Sequence, residues 1–599
     1  MQDQHKTALK SFYEDKIKEA KKSLQNKYPL EECPQGDVDY PPPATNISSD
    51  NWRVWRIKTA CSLRPLTLIL AIPSTFPDIF PKIYLSQKDH SEIGHIPHLD
   101  KNRFVCTKEE NIAVINDTKV GEALDELIRI VAEEIIVKGL NKQNDNDYIE
   151  EFLAYWNEDN NSKILSLFVP SEKIELIKVV TLEKGFLESM HLVANTIEEA
   201  KEWLSHVDIK IEDKNNYNAL YLPFEKAFSP PLPKTNKDVL AILKESSTKY
   251  IEAIKKFFAD SNYNLLILFS VPLKQGRALA AWKHLAWEKY IYNGFRPYTL
   301  PLDIRFSRSS SNQIERMIVE RVDKERLFNR GGKGLKDTTK NYTIAIIGLG
   351  SIGSALAMSL AKCGISKFIF IDKEIVMLEN VARHLCDFED VNLRLDKSRV
   401  VKQKIERKFP HAKCSVYYND ILALLQNETS LLDSVDIVIS ATANFGIERR
   451  LNSMLRKGII KSPMFFAWLE PYGVAGHLLY IHPKVGACYQ CCFDINGQFQ
   501  YSVAKQQEGL YKRESGCQSS YFPYSALDVD TFIVNATRRV LEYLEKQSEI
   551  SFLWSWIGDI VSFKNEGYQI CDDWFADSAF SINERILNKQ ENCEICGKL

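Results

Sequence analysis

The chain has 599 residues, 45% of them hydrophobic and 26% charged, with a formal charge of -2. That length exceeds a single core, so two to four domains are expected. The balanced charge argues against a global basic field for nucleic acid, and no apolar run approaches the roughly 18 to 20 residues of a membrane span. The first thirty residues mix Lys with Asp and Glu and lack the apolar stretch of a leader, which points to the cytoplasm. Thirteen cysteines in such a chain favour metal binding or thiol chemistry over a disulfide framework.

From 1 to 158, a Lys-rich amphipathic helix precedes strands in WRVWRI, PLTLILAIP (Pro65 to Pro73) and KIYLS, and then the helix VGEALDELIRIVAEEIIVKGL. Helix, sheet, helix in that order predicts a compact α+β domain. From 159 to 311, strands such as ILSLFV and YNLLILFSVPL alternate with helices such as IEEAKEWLSHV. An α/β middle domain is expected there, and it carries no chemical motif. The cluster SRSSSN (Ser307 to Asn312) reads as a linker, with a charged helix after it ending at Asn329-Arg330. From 312 to 599 the pattern becomes βαβ in YTIAIIGLG, KFIFID and SVDIVISAT, which predicts a mostly parallel, Rossmann-like sheet.

Between the first strand and helix of that last region, IAIIGLGSIGSALAMSLAKCG carries Gly348, Gly350 and Gly353. Glycines there permit a tight turn and a close backbone approach, so that the helix N-terminus faces a phosphate. About twenty residues on, Asp372 ends the second strand, placed to accept hydrogen bonds from a ribose. A nicotinamide dehydrogenase would share these features; glycines kept only for packing are the bland reading. The next string, IDKEIVMLENVARH, with Asp372, Glu374, Asn380 and Arg383, resembles the ubiquitin-activating superfamily, which includes the adenylyltransferases of molybdopterin and thiamine synthesis. Lys397 in RLDKSRVV resembles its phosphate-binding lysine. An Arg and a Lys offset the charge of a triphosphate and of departing pyrophosphate, which hydride transfer does not need. The resemblance implies ATP with Mg2+. Where the superfamily has a metal-binding Asp in Thr-Asp-Asn, this chain reads SATAN, with Ala443 at that place and Asn444 or another carboxylate left to substitute. Arg330 matches an arginine presented to ATP, often across a dimer.

Cys488 and Cys491 in GACYQC pair with Cys593 and Cys596 in NCEICGKL. Two C-x-x-C knuckles supply four thiolates for a closed, structural Zn2+ site, and neither opens a helix as a redox pair would. Between them, in ESGCQSSYFPYSALDVD, Cys517 occupies the place of the superfamily's acyl-accepting cysteine, where a thiolate turns an acyl adenylate into a thioester. An inert thiol is the alternative.

The N-terminal region resembles ubiquitin-conjugating enzymes. PLTLILAIPSTFPDIFPKIYL looks like their central strand and proline-marked loop, and in HIPHLDKNRFVCTKEENIAV Cys106 takes the place of the conjugating cysteine, close after His95 and His98. The string DYIEEFLAYWN is typical of the prokaryotic branch, while the His-Pro-Asn signature is replaced by His-Ile-Pro-His. His98 and Asn102 are both open as the oxyanion partner.

Taken together, the chain resembles the fused activating and conjugating enzyme of bacterial CBASS anti-phage systems. The resemblance implies adenylation of a partner's C-terminal carboxylate, transfer to Cys517 and then Cys106, and ligation to a lysine. It further implies that the partner is a cGAS/DncV-like nucleotidyltransferase, that the activating domains pair as a homodimer, and that neither membrane nor nucleic acid is bound directly. The main rival is a sulfur-carrier adenylyltransferase with a non-catalytic N-terminal domain. An NAD-dependent oxidoreductase and a non-enzymatic scaffold follow.

Overall fold

The computed structural model describes residues 2–42, 51–107, 114–157, 162–182, 190–207, 209, 216–228, 230–260, 265–274, 276–284, 311–328, 341–513 and 520–597. Among the described residues no helix is long and apolar enough to cross a membrane. The chain divides into two compact units, Met1–Asn195 with Asn215–Glu320, and Thr196–Lys214 with Arg321–Leu599.

The first unit opens with an antiparallel meander of β1 (Leu30–Glu32), β2 (Trp52–Ala60), β3 (Pro65–Pro73), β4 (Lys82–Leu85) and β5 (Phe104–Val105). The run PLTLILAIP is β3 residue for residue. It reads as continuous apolar sequence because it is covered on both faces. Leu66, Leu68, Leu70 and Ile72 join the helix-side core with Leu124 and Ile128, while Ile69 and Ala71 pack with Cys33, Val54 and Tyr84. The expected helix after the sheet forms over Val120–Leu140, with a π-helical stretch at Ile130–Val137. Gly121 lets it approach the first helix, Gln2–Gln25; a Cβ there would stand 2.1 Å from Ser23 Oγ.

The α/β expectation for the middle region is corrected. Seven strands close into a barrel: β6 (Lys163–Ser166), β7 (Glu175–Thr181), β8 (His191–Ala194), β9 (Asn216–Pro223), β10 (Leu266–Pro272), β11 (Arg277–His284) and β12 (Ile314–Arg321). Among the described residues β6–β8 and β9–β10 pair in parallel, while β10–β11, β11–β12, β7–β8 and β7–β9 are antiparallel. A run such as LLILFSVP is buried on both faces in a barrel packed by helices just as in a parallel sheet, so its pattern does not tell the two apart. The charged helix expected after residue 312 is the strand β12 followed by one short helix, Lys324–Phe328. The two buried residues of β12, Ile314 and Met317, stand three apart, a spacing that reads as a helix and hides the strand. The helix Ile197–His206, drawn from the middle of the sequence, belongs to the second unit, where the His206 ring hydrogen-bonds the Pro410 carbonyl.

The segment 147–157 links sheet and barrel within the first unit. Its second short helix, Phe152–Asn157, sends Phe152 and Trp156 into the barrel's aromatic core. The Trp156 ring lies 4.8 Å from Phe269, and its N–H donates to the Met317 carbonyl at 3.3 Å.

The second unit is built on an eight-stranded sheet with order β15-β14-β13-β16-β17-β18-β21-β22. The strands are β13 (Thr343–Ile347), β14 (Lys367–Ile371), β15 (Lys413–Tyr417), β16 (Ile437–Ser440), β17 (Met464–Leu469), β18 (Ala475–Ile481), β21 (Phe552–Ile557) and β22 (Ile582–Ile586); a separate ribbon pairs β19 (Lys512–Arg513) with β20 (Ser520–Tyr521). From β15 to β17 neighbours are parallel; from β17 to β22 they are antiparallel. The parallel half is the Rossmann-like part, and the strand order reverses at β13, where a ligand crevice is expected.

Candidate functional site

The first site lies at the carboxyl ends of β13, β14 and β16. Gly348 ends β13 with φ +83°, and a Cβ there would meet the Ala441 carbonyl carbon at 2.9 Å. At Gly353 a Cβ would fall 1.9 Å from the Gly348 oxygen, so the turn and the helix Ser351–Lys362 close on each other only with glycine. Gly350 differs: it caps that helix and faces open space. Its freedom is room for a ligand on the helix N-terminus.

A cleft of about 300 Å³ opens here, lined by Gly348, Gly350, Asp372, Glu374, Lys397, Asp420, Thr442 and Asn444 among others. Asp372 accepts the Leu349 and Glu374 amides at 2.6 and 2.8 Å; burial nevertheless raises its carboxyl above the usual range. Lys397 begins the helix Lys397–Lys408, is nearly buried, and holds Glu374 at 2.6 Å. Lys373 and Asp420 pair at 3.1 Å. These residues offer a cation and several carboxylates to one ligand.

Asn380 and Arg383 sit beside the cleft rather than on its wall. Asn380 Oδ1 accepts the Met377 amide at 2.9 Å and closes a tight turn. Arg383 lies 4.9 Å over the Tyr524 ring, and the Tyr524 and Ser351 hydroxyls are 3.0 Å apart, so Arg383 reaches the glycine-rich helix through Tyr524. Arg330 and Cys517 lie outside the described residues.

Ala443 has φ +48°, a left-handed conformation that Asp or Asn tolerates better than Ala. Asn444 Oδ1 accepts the Ile447 amide at 3.1 Å as the cap of the helix Phe445–Arg456. Its oxygen is thus engaged in capping. Beneath this loop sits Glu448, which sequence reasoning missed. It accepts hydrogen bonds from Tyr489 at 2.7 Å, Thr442 at 3.2 Å and Ser440 at 3.3 Å, and burial pushes its carboxyl up to about 7.

Cys488, Cys491, Cys593 and Cys596 are all buried, with their sulfurs within 4.8 Å of one another. The separations 488–593 and 491–596 are 3.6 and 3.4 Å. A tetrahedron of thiolates about 2.3 Å from zinc has sulfurs about 3.8 Å apart. Four thiols at this spacing fit that ion.

The second site is in the first unit. Cys106 follows β5, is exposed, and donates its amide to the His98 carbonyl at 2.9 Å. A cleft of about 1030 Å³ runs past Cys106 and His98 to Glu134, Asp147, Glu150, Glu151 and Lys274. His98 Nε2 is 3.1 Å from Asp147 and Nδ1 is 3.0 Å from Glu151. The hydrogen bond to the Cys106 side chain, then those to Glu151 and Asp147, raise the imidazole to about 10 against the opposing effect of burial. Asn102 lies in the turn between Asp100 and Arg103 and does not line this cleft, nor does the exposed His95. Asp147 and Glu151 were legible in DYIEE as an i, i+4 pair on one helical face.

Residues 323–519 match the ThiF family, and residues 48–165 match Prokaryotic E2 family B. Among curated proteins, ubiquitin-like modifier-activating enzyme 5 of Drosophila pseudoobscura pseudoobscura is 24% identical over 262 residues, 41% of this chain and 64% of that protein. Its Xenopus laevis counterpart is 25% identical over 299 residues, 46% of this chain and 68% of that one. The chain thus spans just under two thirds of the former relative's length. Among solved structures, E. coli MccB with ATP is 18% identical, with a TM-score of 0.31 over 44% of this chain and 69% of that one. The chain therefore joins a prokaryotic E2 family B domain to a ThiF-family adenylation domain of the ubiquitin-activating type.

Proposed function

We propose that the chain uses ATP to adenylate the C-terminal carboxylate of a partner protein and passes the acyl group through Cys517 and Cys106 to a lysine. The observation that carries this reading is the joining in one chain of an adenylation-type cleft with an exposed cysteine held against His98 in an E2-type domain.

A carboxylate oxygen of the partner attacks the α-phosphorus of ATP, and pyrophosphate leaves. The helix N-terminus at Gly350 and the Lys397 ammonium offset the phosphate charge. Mg2+, when bound, supplies further charge neutralisation, and Asp372, Glu374 and Asp420 are the carboxylates on the cleft wall that would hold it. The Cys517 sulfur then attacks the acyl carbon and AMP departs. The Cys106 sulfur takes the acyl group next in a thioester exchange, and an amine nitrogen takes it last, leaving an amide. Zn2+ in the four-cysteine cluster has a structural role, tying the C-terminal knuckle to the sheet. In this reading the donor is the tail of a cGAS/DncV-like nucleotidyltransferase in a CBASS system, the activating domains pair as a homodimer, and the work is done in the cytoplasm.

The test is intact-mass analysis of the chain with ATP and that partner, before and after reduction. Cys517→Ala is expected to lose both thioesters, and Cys106→Ala to keep the first thioester and lose lysine adducts. Adducts that persist in Cys106→Ala would return the chain to sulfur-carrier chemistry. Absence of ATP–pyrophosphate exchange in the native chain would remove adenylation itself.

A further inference from the structure

The ring of His98 is bracketed. Both nitrogens face carboxylates, Nε2 at 3.1 Å from Asp147 and Nδ1 at 3.0 Å from Glu151. Ionised carboxylates only accept, so both nitrogens must donate and the ring has no lone pair left for a proton. Tyr155 locks the arrangement: its hydroxyl donates to the second oxygen of Glu151 at 2.8 Å and accepts the His98 amide at 2.8 Å. His98 itself has φ +65°, a backbone conformation unusual for histidine that these contacts hold.

We propose that Glu151, Asp147 and Tyr155 are positioning residues that fix His98 as a cation beside Cys106, so that His98 acts on the sulfur by its charge and not as a base. The proposal rests on Cys106 being the acyl carrier. In both steps at that residue, negative charge resides on its sulfur. In the first, the Cys106 thiolate bonds to the acyl carbon while the donor's carbon–sulfur bond breaks, and the donor departs as a thiolate. In the second, a carbon–nitrogen bond forms, the Cys106 carbon–sulfur bond breaks, and the amine's protons pass to water. A fixed positive charge favours the start of one step and the end of the other.

Other charges reach the same cleft: Glu134 and Lys138 from the Val120–Leu140 helix, Glu150 from the Asp147–Glu150 helix, and Lys274 from the turn between β10 and β11. Among the described residues the His98 ring pairs with Asp147 and Glu151 and with none of these four, and the Cys106 side chain also acts on it. The electrostatics agree with the geometry: the Cys106 side chain first, then Glu151 and Asp147, push the imidazole up to about 10 against the effect of burial.

The experiment is a pH titration of histidine ring resonances in the full chain, with His98 assigned by its disappearance in His98→Gln. In parallel, Cys106 alkylation by iodoacetamide is followed by peptide mass spectrometry. The native ring is expected to stay doubly protonated through pH 8.5, and Asp147→Asn with Glu151→Gln to bring its midpoint below pH 8. His98→Gln is expected to slow alkylation at pH 7 at least ten-fold at unchanged Tm, while Glu151→Asp retains the native profile. A native midpoint near 6.5, or a midpoint unmoved in the double variant, overturns the proposal. Neither readout requires ATP or a partner. A charged His98 in a chain that never forms a Cys106 thioester would sink the carrier reading while leaving His98's charge and its cause established.

Discussion

The Tyr489 hydroxyl donates to Glu448 at 2.7 Å, and Tyr489 lies between two cysteines of the metal-type cluster, Cys488 and Cys491. The other oxygen of Glu448 holds Ser440 and Thr442, which begin the loop where the adenylation cleft ends. One buried carboxyl therefore connects the thiol cluster to the nucleotide wall.

Glu448 gives a stability prediction with a definite sign. Its carboxyl is raised from 4.5 to about 7 in the folded chain. The folded state binds the proton more tightly, so this contribution is complete below about pH 4.5, declines through pH 7 and is then flat. The loss amounts to at most about 3 kcal/mol. Glu448→Gln cannot ionise, so its Tm relative to the native chain should be higher at pH 8 than at pH 5. Differential scanning at both values checks this; a constant difference contradicts it.

Gly350 and Gly353 should separate folding from binding. At Gly353 the added methyl falls 1.9 Å from backbone oxygen, and Gly353→Ala should cost about 3 kcal/mol or more. Gly350 faces nothing within 4 Å. Gly350→Ala should leave the Tm close to native while weakening ATP binding about ten-fold or more through a clash with phosphate. Calorimetric titration with ATP, beside a melting curve, distinguishes the two.

Lys397 is nearly buried and points its charge at Glu374 on the cleft wall. Lys397→Ala should lower ATP–pyrophosphate exchange by roughly 10²-fold. Because Glu374 then stands unpaired but exposed, the loss of stability should stay within about 1 kcal/mol. Exchange kinetics and denaturant midpoints measure the two effects separately.

The thiol cluster predicts one zinc per chain by elemental analysis. Cys593→Ser should lose the metal and lower the Tm by roughly ten degrees or more, since such sites contribute folding energy directly. A chain that purifies without metal and melts like Cys593→Ser would rule out a structural role for zinc.

The elements legible in the sequence were those with a strong local period or a punctuating glycine. β3 and the Gly348 turn are examples, because their burial and φ requirements are written in consecutive residues. The barrel was not legible. Its closure depends on β9 meeting β10 and on β12 joining β6, contacts between residues far apart in the chain that no local pattern encodes. The site divides the same way. Gly348, Asp372 and Lys397 stand in short motifs and converge on one cleft. Glu448 arrives from the helix Phe445–Arg456 and Tyr524 from the loop before the helix Ala526–Glu545; nothing beside them in sequence marks their role. Asp147 and Glu151 are an intermediate case. Their spacing was visible, but their target His98, 49 residues upstream of Asp147, was not.

The segment 147–157 ends in two places at once. Asp147 and Glu151 grip the ring beside Cys106, and five residues later Trp156 is embedded among Phe269 and Trp282. A thiol that needs this ring thus borrows its rigidity from the barrel. Cutting the chain after residue 146 would leave the whole five-stranded sheet and its sulfur in place while removing both carboxylates. The middle region, silent in chemical motifs, is in this sense the mould in which the Cys106 cleft is cast.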